Sequence, residues 1–103
     1  MDTREKTYLK AIELYGIKAQ EEVAIEEMSE LTKEIVKSWR GKENEVELAE
    51  EIADVEIMLE QLKIIHNCGE LVDRWKNEKV FRLQERVIKG GNLDGQNNWK
   101  VQA

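Results

Sequence analysis

The sequence predicts an all-α protein built as an antiparallel four-helix bundle. Three observations lead to this prediction: apolar residues recur at helical spacing, glycines fall where the periodic segments stop, and proline is absent. Because strand-rich folds need many turns, a shortage of turn-forming residues favours long helices. A length of 103 residues predicts one domain over residues 1–103, in which residues 90–103 form a C-terminal tail.

The first helix is predicted over about residues 2–15 and ends at Gly16. Tyr8, Ile12 and Tyr15 stand at helical spacing within it. Asp2 followed by Glu5 resembles a capping box, in which the first side chain accepts a hydrogen bond from the backbone three residues later.

Two longer helices are predicted next, over about residues 18–40 and 45–67, followed by Gly41 and Gly69. Their apolar stripes are Ala24, Met28, Leu31 and Ile35 in the second helix, and Leu48, Ile52, Val55, Leu59 and Leu62 in the third. A fourth helix is predicted over about residues 70–89 and ends at Gly90. Short connections between long helices predict antiparallel neighbours.

Composition excludes several classes of partner. The formal net charge of −6 opposes binding to DNA or RNA. No apolar run approaches the roughly eighteen residues that a membrane helix needs, and the N-terminal residues are polar. Cys68 is the only cysteine, so an internal disulfide is excluded and a reducing compartment, the cytoplasm, is expected.

The informative motif is an imperfect internal repeat of 24 residues, in which EEMSEL at 26–31 is matched by EEIADV at 50–55. At about 100° per residue, Glu27 and Glu30 lie at the edge of the apolar stripe of their helix. Glu51 and Asp54 hold the same place in the next helix. Both pairs lie about 15 Å from the connecting turn, so antiparallel packing brings the four carboxylates together.

Four neighbouring carboxylates repel one another unless they are protonated or neutralised. Hard oxygen ligands without histidine or cysteine nearby suit Mg²⁺ or Mn²⁺. A single Glu-x-x-Glu on a helix is usually a solvated face, which is the alternative interpretation. Two acidic pairs at the same edge of their apolar stripes, and at the same distance from the connecting turn, favour a metal site.

Residues 20–62, with Glu-Glu-x-x-Glu, twenty intervening residues and Glu-x-x-Asp, closely resemble the MazG-like all-α nucleoside triphosphate pyrophosphohydrolases. That superfamily includes dimeric dUTPases, dCTP pyrophosphatases and phosphoribosyl-ATP pyrophosphatase. The resemblance is strong over about half of the chain and weak over the fourth helix. It implies that Glu27, Glu30, Glu51 and Asp54 bind Mg²⁺. It also implies that water attacks the α–β linkage of a nucleoside triphosphate, which releases a monophosphate and pyrophosphate. Glu27 or Glu30 is the candidate for accepting the proton of that water.

Further candidates contact the substrate. Lys79 and Arg82 belong to a cationic strip on the fourth helix and are candidates for binding phosphate, unless they are a solvated face paired with nearby glutamates. Trp39 and Trp75 are candidates for stacking on a base, although packing in a core or interface is the more common role of tryptophan. Gln20 is a candidate for contacting a base edge, or is a surface residue.

His66 is expected to interact with a helix C-terminus rather than with a metal. No Gly-x-x-x-x-Gly-Lys loop is present, which excludes a P-loop NTPase. The aromatic surface of Trp39, Trp75 and Trp99 exceeds what a bundle of this size buries alone, and the resemblance also implies association. We therefore expect a homo-oligomer, a tetramer ahead of a dimer, in which the tail around Trp99 helps to seal a contact. Two alternatives stay open: a catalytically silent helical interaction module, and a phosphoribosyl-ATP pyrophosphatase.

Overall fold

The computed structural model of this protein describes residues 2–90, which form four α-helices and no strand. The helices are α1 (Thr3–Tyr15), α2 (Ile17–Trp39), α3 (Glu45–Ile65) and α4 (Gly69–Lys89). The all-α prediction with four helices is thus confirmed, and each boundary lies within two residues of the predicted one. None of the described helices is both long enough and apolar enough to cross a membrane.

The first two helices begin and end as their terminal residues predict. The Asp2 carboxylate accepts a hydrogen bond from the Glu5 backbone N–H at 2.7 Å, which confirms the predicted cap of α1. Gly16 separates α1 from α2 with a φ of 94°, and Gly41 follows α2 with a φ of 81°. Backbone of this left-handed kind favours glycine because glycine has no Cβ to clash.

The end of α3 differs from the prediction. Asn67, with a φ of 50°, takes the left-handed position there. Gly69, which was expected to stop α3, is instead the first residue of α4. Asparagine is one of the few residues with a side chain that tolerates this backbone conformation.

The chain forms two compact units, Met1–Asn67 and Cys68–Ala103. In the first unit, α2 and α3 form an antiparallel hairpin and α1 contacts both. Tyr8 of α1 is buried and its hydroxyl donates a hydrogen bond to the Glu60 carboxylate of α3. In the second unit the structure describes α4 and its ends, and the predicted contact of Trp99 lies outside the described residues.

The contact between α2 and α3 is more polar than the apolar stripes predicted. The buried side chains along it are Gln20, Ala24 and Glu34 from α2, Val55, Met58 and Gln61 from α3, and Asn44 just before α3. Met28 of α2 and Ile52 of α3, which lie on the predicted stripes, are 41% and 42% exposed. The buried seam therefore runs closer to Glu27 and Glu51 than the apolar stripes do.

Two hydrogen-bonded pairs satisfy the polar groups that this seam buries. Gln20 Nε2 donates to Gln61 Oε1 at 2.7 Å, and we call these two residues the amide pair. Asn44 Nδ2 donates to both the backbone oxygen and the Oε1 atom of Glu34 at 2.9 Å, and we call these two the connector pair. Burial of polar groups is tolerated here because each finds a partner.

We expect Asn44→Ala to lower the free energy of unfolding by about 1–3 kcal/mol, because it leaves buried acceptor atoms of Glu34 without their donor. Urea unfolding followed by circular dichroism measures the change. Asn77→Ala, at an exposed position of α4, is the matched control and should change stability by less than about 0.5 kcal/mol. Equal effects of the two substitutions would contradict a structural role for the connector pair.

Candidate metal centre

Three carboxylates meet in the middle of the α2–α3 seam. One oxygen each of Glu27, Glu51 and Asp54 lies within 4.8 Å of the other two, and all three side chains are half-buried. We call these three residues the carboxylate cluster. Glu27 comes from α2, whereas Glu51 and Asp54 lie three positions apart on α3 and therefore face the same side of it.

The electrostatics of the cluster favour a bound proton on Glu27. Burial raises the pKa of Glu27 to about 7, and the hydrogen bond and charge of Asp54 act in the same direction, as does Glu51. Near neutral pH, Glu27 therefore holds a proton more readily than an ordinary glutamate does. This proton relieves the repulsion among three neighbouring carboxylates.

The surroundings of Glu51 also disfavour its ionised form. Burial raises the pKa of its carboxyl group, and the negative charge of Asp54 adds to this effect, whereas the hydrogen bond with Glu27 acts in the opposite direction. Among the described residues, its Oε2 atom is shielded from solvent and accepts no hydrogen bond. A shielded acceptor of this kind costs stability as long as it has no partner.

The donor set of the cluster fits a hard divalent cation. Carboxylate oxygens are the ligands that Mg²⁺ and Mn²⁺ prefer, and one cation would supply both the missing partner of Glu51 Oε2 and the missing positive charge. No histidine or thiol belongs to the cluster, which disfavours zinc. A cation at this place would displace the proton of Glu27, because ligands bind in their deprotonated form.

Glu30 lies outside the cluster, unlike the other three predicted ligands. Its Oε1 atom is 3.3 Å from Lys33 Nζ, and its side chain is 42% exposed. Its charge nevertheless contributes to raising the pKa of Glu51, so it lies close enough to act on the cluster. The structure thus brings three of the four predicted carboxylates together.

Comparison of the chain with models of protein families, with curated proteins and with solved structures finds no match. The residues of the site are therefore the basis for its chemistry. These are a set of neighbouring carboxylates on two helices and the polar pairs on either side of them.

Two of the three base-binding candidates occupy opposite environments in α2. Gln20 lies on the same side of α2 as Glu27, as the helical phase predicted, but it is 8% exposed and its amide nitrogen donates to Gln61. It is therefore a residue of the seam, and the alternative that it is a surface residue is wrong. Trp39, the last residue of α2, is 77% exposed.

The remaining candidates belong to α4 in the second unit. Lys79 Nζ lies 5.9 Å from the centroid of the Trp75 ring, which is a cation–π contact. Arg82 Nε lies 3.4 Å from Glu78 Oε1, in an exposed ion pair one helical turn apart. Trp75 is 51% exposed.

Sequence reasoning missed the polar partners of the seam. The sequence pattern does not predict the burial or the pairing of Gln61, Asn44 and Glu34. His66, the C-cap of α3, has its Nε2 atom 2.7 Å from Glu21 Oε2, which ties the end of α3 to the start of α2. The signal for the seam residues was present as a spacing of seven residues from the acidic positions.

We expect Glu27→Gln to stabilise the metal-free protein increasingly as the pH rises. The pKa of Glu27 is raised in the folded state, so the folded protein binds the extra proton and loses stability as the pH climbs from 4.5 to about 7. A neutral glutamine does not suffer this loss. The melting temperature of the variant should therefore match the wild type near about pH 5 and exceed it by a few degrees near about pH 8.

Glu26→Gln is the control for this experiment, because Glu26 is an exposed neighbour on the same helix. Its effect on the melting temperature should not change over the same pH range. A pH-independent difference between wild type and Glu27→Gln would show that Glu27 is ionised normally.

Proposed function

We propose that this protein is a Mg²⁺-dependent nucleoside triphosphate pyrophosphohydrolase of the MazG-like type. It cleaves the α–β linkage of its substrate to release a monophosphate and pyrophosphate. The observation that carries the proposal is the convergence of Glu27, Glu51 and Asp54 from two helices. The matching acidic repeats that place them, and their resemblance to that superfamily, support it further.

Glu27, Glu51 and Asp54 are the residues that hold Mg²⁺ in this proposal, and Mn²⁺ can substitute because it prefers similar oxygen ligands. Glu30 is the fourth carboxylate. Its ion pair with Lys33 is exposed and therefore weak, so Glu30 can turn towards the cluster at little cost. When bound, the metal neutralises phosphate oxygens and makes a bound water more acidic.

A carboxylate must accept the proton of the attacking water, and Glu30 fits this role better than Glu27. Glu27 lies inside the cluster, where a cation stabilises its ionised form and makes it a poor base. Glu30 lies outside the set of three and is partly exposed, so its oxygens are not committed there. The water must lie within hydrogen-bond reach of it, as general base catalysis requires.

Substrate contacts are proposed for residues that present charge or an aromatic face. Lys79 and Arg82 of α4 are the candidates for phosphate, since exposed pairs such as Arg82 with Glu78 exchange readily for a phosphate oxygen. Trp39 and Trp75 are exposed and available for stacking on a base. Gln20 is no longer a base-contacting candidate in this proposal, because its amide is used within the seam.

We also propose that the protein is a homo-oligomer, with a tetramer ahead of a dimer, and that it acts in the cytoplasm. Many large apolar side chains of the described helices are exposed, among them Trp39 at 77%, Val46 at 76% and Ile88 at 74%. Exposed apolar side chains become buried where subunits associate, which is favourable. The free thiol of Cys68 fits a reducing compartment.

The same exposed surface favours the second hypothesis, a helical interaction module without activity. The carboxylate cluster separates the two hypotheses, because a silent module has no chemical reason to keep a set of half-buried like charges. Incubation with mixed deoxynucleoside triphosphates and Mg²⁺, read for pyrophosphate and orthophosphate, decides between them. Release of orthophosphate would contradict cleavage at the α–β linkage, and absence of any product would favour the module. A parallel assay with phosphoribosyl-ATP tests the remaining alternative.

We expect Glu30→Gln and Asp54→Asn to lower pyrophosphate release by more than about 100-fold while far-UV circular dichroism stays nearly unchanged. Each substitution keeps the size of the side chain; Asp54→Asn removes a charge that the metal needs, and Glu30→Gln removes the proposed proton acceptor. Relief of repulsion should raise the metal-free melting temperature slightly.

Glu26→Gln and Glu50→Gln are the matched controls, because each lies in the same repeat at an exposed position. Both should retain wild-type turnover. Wild-type turnover in Glu30→Gln and Asp54→Asn would show that the metal-site assignment is wrong.

Light scattering of the purified chain at micromolar concentration tests the assembly. We expect a mass of about four chains or about two chains, because an isolated chain exposes too much apolar surface. A stable and active species with the 12.1 kDa mass of one chain would contradict this expectation.

A further inference from the structure

The α2 member of the carboxylate cluster, Glu27, lies midway between two buried polar residues of the same helix. Glu27 lies seven residues after Gln20 and seven residues before Glu34. Seven residues are close to two helical turns, so the three side chains follow one line along α2, with steps of about 10 Å. Gln20 and Glu27 meet residues of α3, and Glu34 meets Asn44 just before α3.

The partners on α3 and at the residue just before it repeat the same spacing. Asn44 lies seven residues before Glu51, and Gln61 lies seven residues after Asp54. The amide pair therefore reproduces the contact of the carboxylate cluster two turns towards one end of the hairpin. The connector pair reproduces it two turns towards the other end. One geometry of the two helices forms all three of these polar contacts, which we call the polar layers, at the same time.

The apolar side chains of the seam do not select this geometry by themselves. Ala24, Val55 and Met58 are buried there, and apolar contacts are non-directional, so they tolerate a slide or a rotation of one helix against the other. A buried amide does not tolerate it, because a slide separates donor from acceptor. Polar layers within helical seams are known to specify register for this reason.

The connector between α2 and α3, residues 40–44, restrains how the two helices can slide at the end of the hairpin where it joins them. The amide pair lies fourteen residues along α2 from the connector pair, a distance of about 20 Å, where that restraint has weakened. Gln20 and Gln61 are 8% and 4% exposed, so their hydrogen bond of 2.7 Å is shielded from water. The amide pair is thus the restraint on the half of the seam that is farther from the connector.

We propose that the amide pair and the connector pair are positioning groups, which hold α2 and α3 at the one register where the carboxylate cluster forms. The convergence of the carboxylates is a feature of the metal-free fold. Only its use for binding a cation rests on the function proposed above.

The test replaces the amide pair by an apolar pair of similar size, Gln20→Met with Gln61→Met, in a Cys68→Ser background. Nitroxide labels at cysteines introduced at the exposed positions 22 and 47, which lie at different levels of the hairpin, report a slide of α2 against α3 as a change in their distance by pulsed electron resonance. Calorimetric titration with Mn²⁺ reports cation affinity. Leu31→Ala is the matched control, since it removes half-buried apolar volume from α2 and changes no member of the polar pairs.

We expect the double variant to melt within a few degrees of the wild type, because an apolar pair replaces a satisfied polar pair at similar volume. Its distance distribution should broaden or shift by about 5 Å, the rise of one helical turn. Its Mn²⁺ affinity should fall by about tenfold or more. Leu31→Ala should melt at a lower temperature and keep the wild-type distance and affinity.

An unchanged distance distribution in the double variant would overturn the proposal, and so would a change of the same size in Leu31→Ala. If the double variant fails to fold, Gln20→Leu with Gln61→Leu in the same background provides the same comparison with a different apolar shape. Absence of Mn²⁺ binding by the wild type would contradict the proposed function. The distances in the metal-free protein would still decide the role of the amide pair.

Discussion

The α2–α3 hairpin depends on one requirement, that polar groups buried between two helices find partners there. Gln20 and Gln61 meet this requirement with one hydrogen bond, and Asn44 meets it with two to Glu34. These contacts place the buried seam along the polar positions of both helices. Because the seam runs there, neighbouring apolar residues such as Met28 and Ile52 face outwards and are available to other surfaces.

The carboxylate cluster is the polar layer of this seam whose charges and hydrogen-bonding groups are least well compensated by the fold. A proton on Glu27 relieves part of the repulsion, but Glu51 keeps a shielded oxygen without a hydrogen bond among the described residues. Proteins that are otherwise locally consistent tend to keep such unfavourable groups where function requires them. The flanking pairs stabilise the hairpin and so offset what the central layer costs.

The helices could be predicted from the sequence because their signals are local. Periodicity and glycines such as Gly16 and Gly41 placed the boundaries, and the acidic repeat placed Glu27 level with Glu51 and Asp54. What could not be predicted depends on contacts between helices. An apolar stripe shows where helices can pack, whereas pairing of amides across 41 residues of chain decides where they do pack. The left-handed position at Asn67 was missed because a glycine two residues later offered the stronger local signal.

The seven-residue spacing of the polar layers limits where residues can be inserted or deleted. Deletion of one residue between Gln20 and Glu34 would rotate everything beyond it by about 100° and separate at least one polar layer from its partner. The exposed positions 40–43 lie outside both helices, so a residue added among them leaves every seven-residue step on either side unchanged. Tolerance to insertions and deletions should therefore be concentrated in the connector, and the two helical segments should be intolerant of them even at solvent-facing positions.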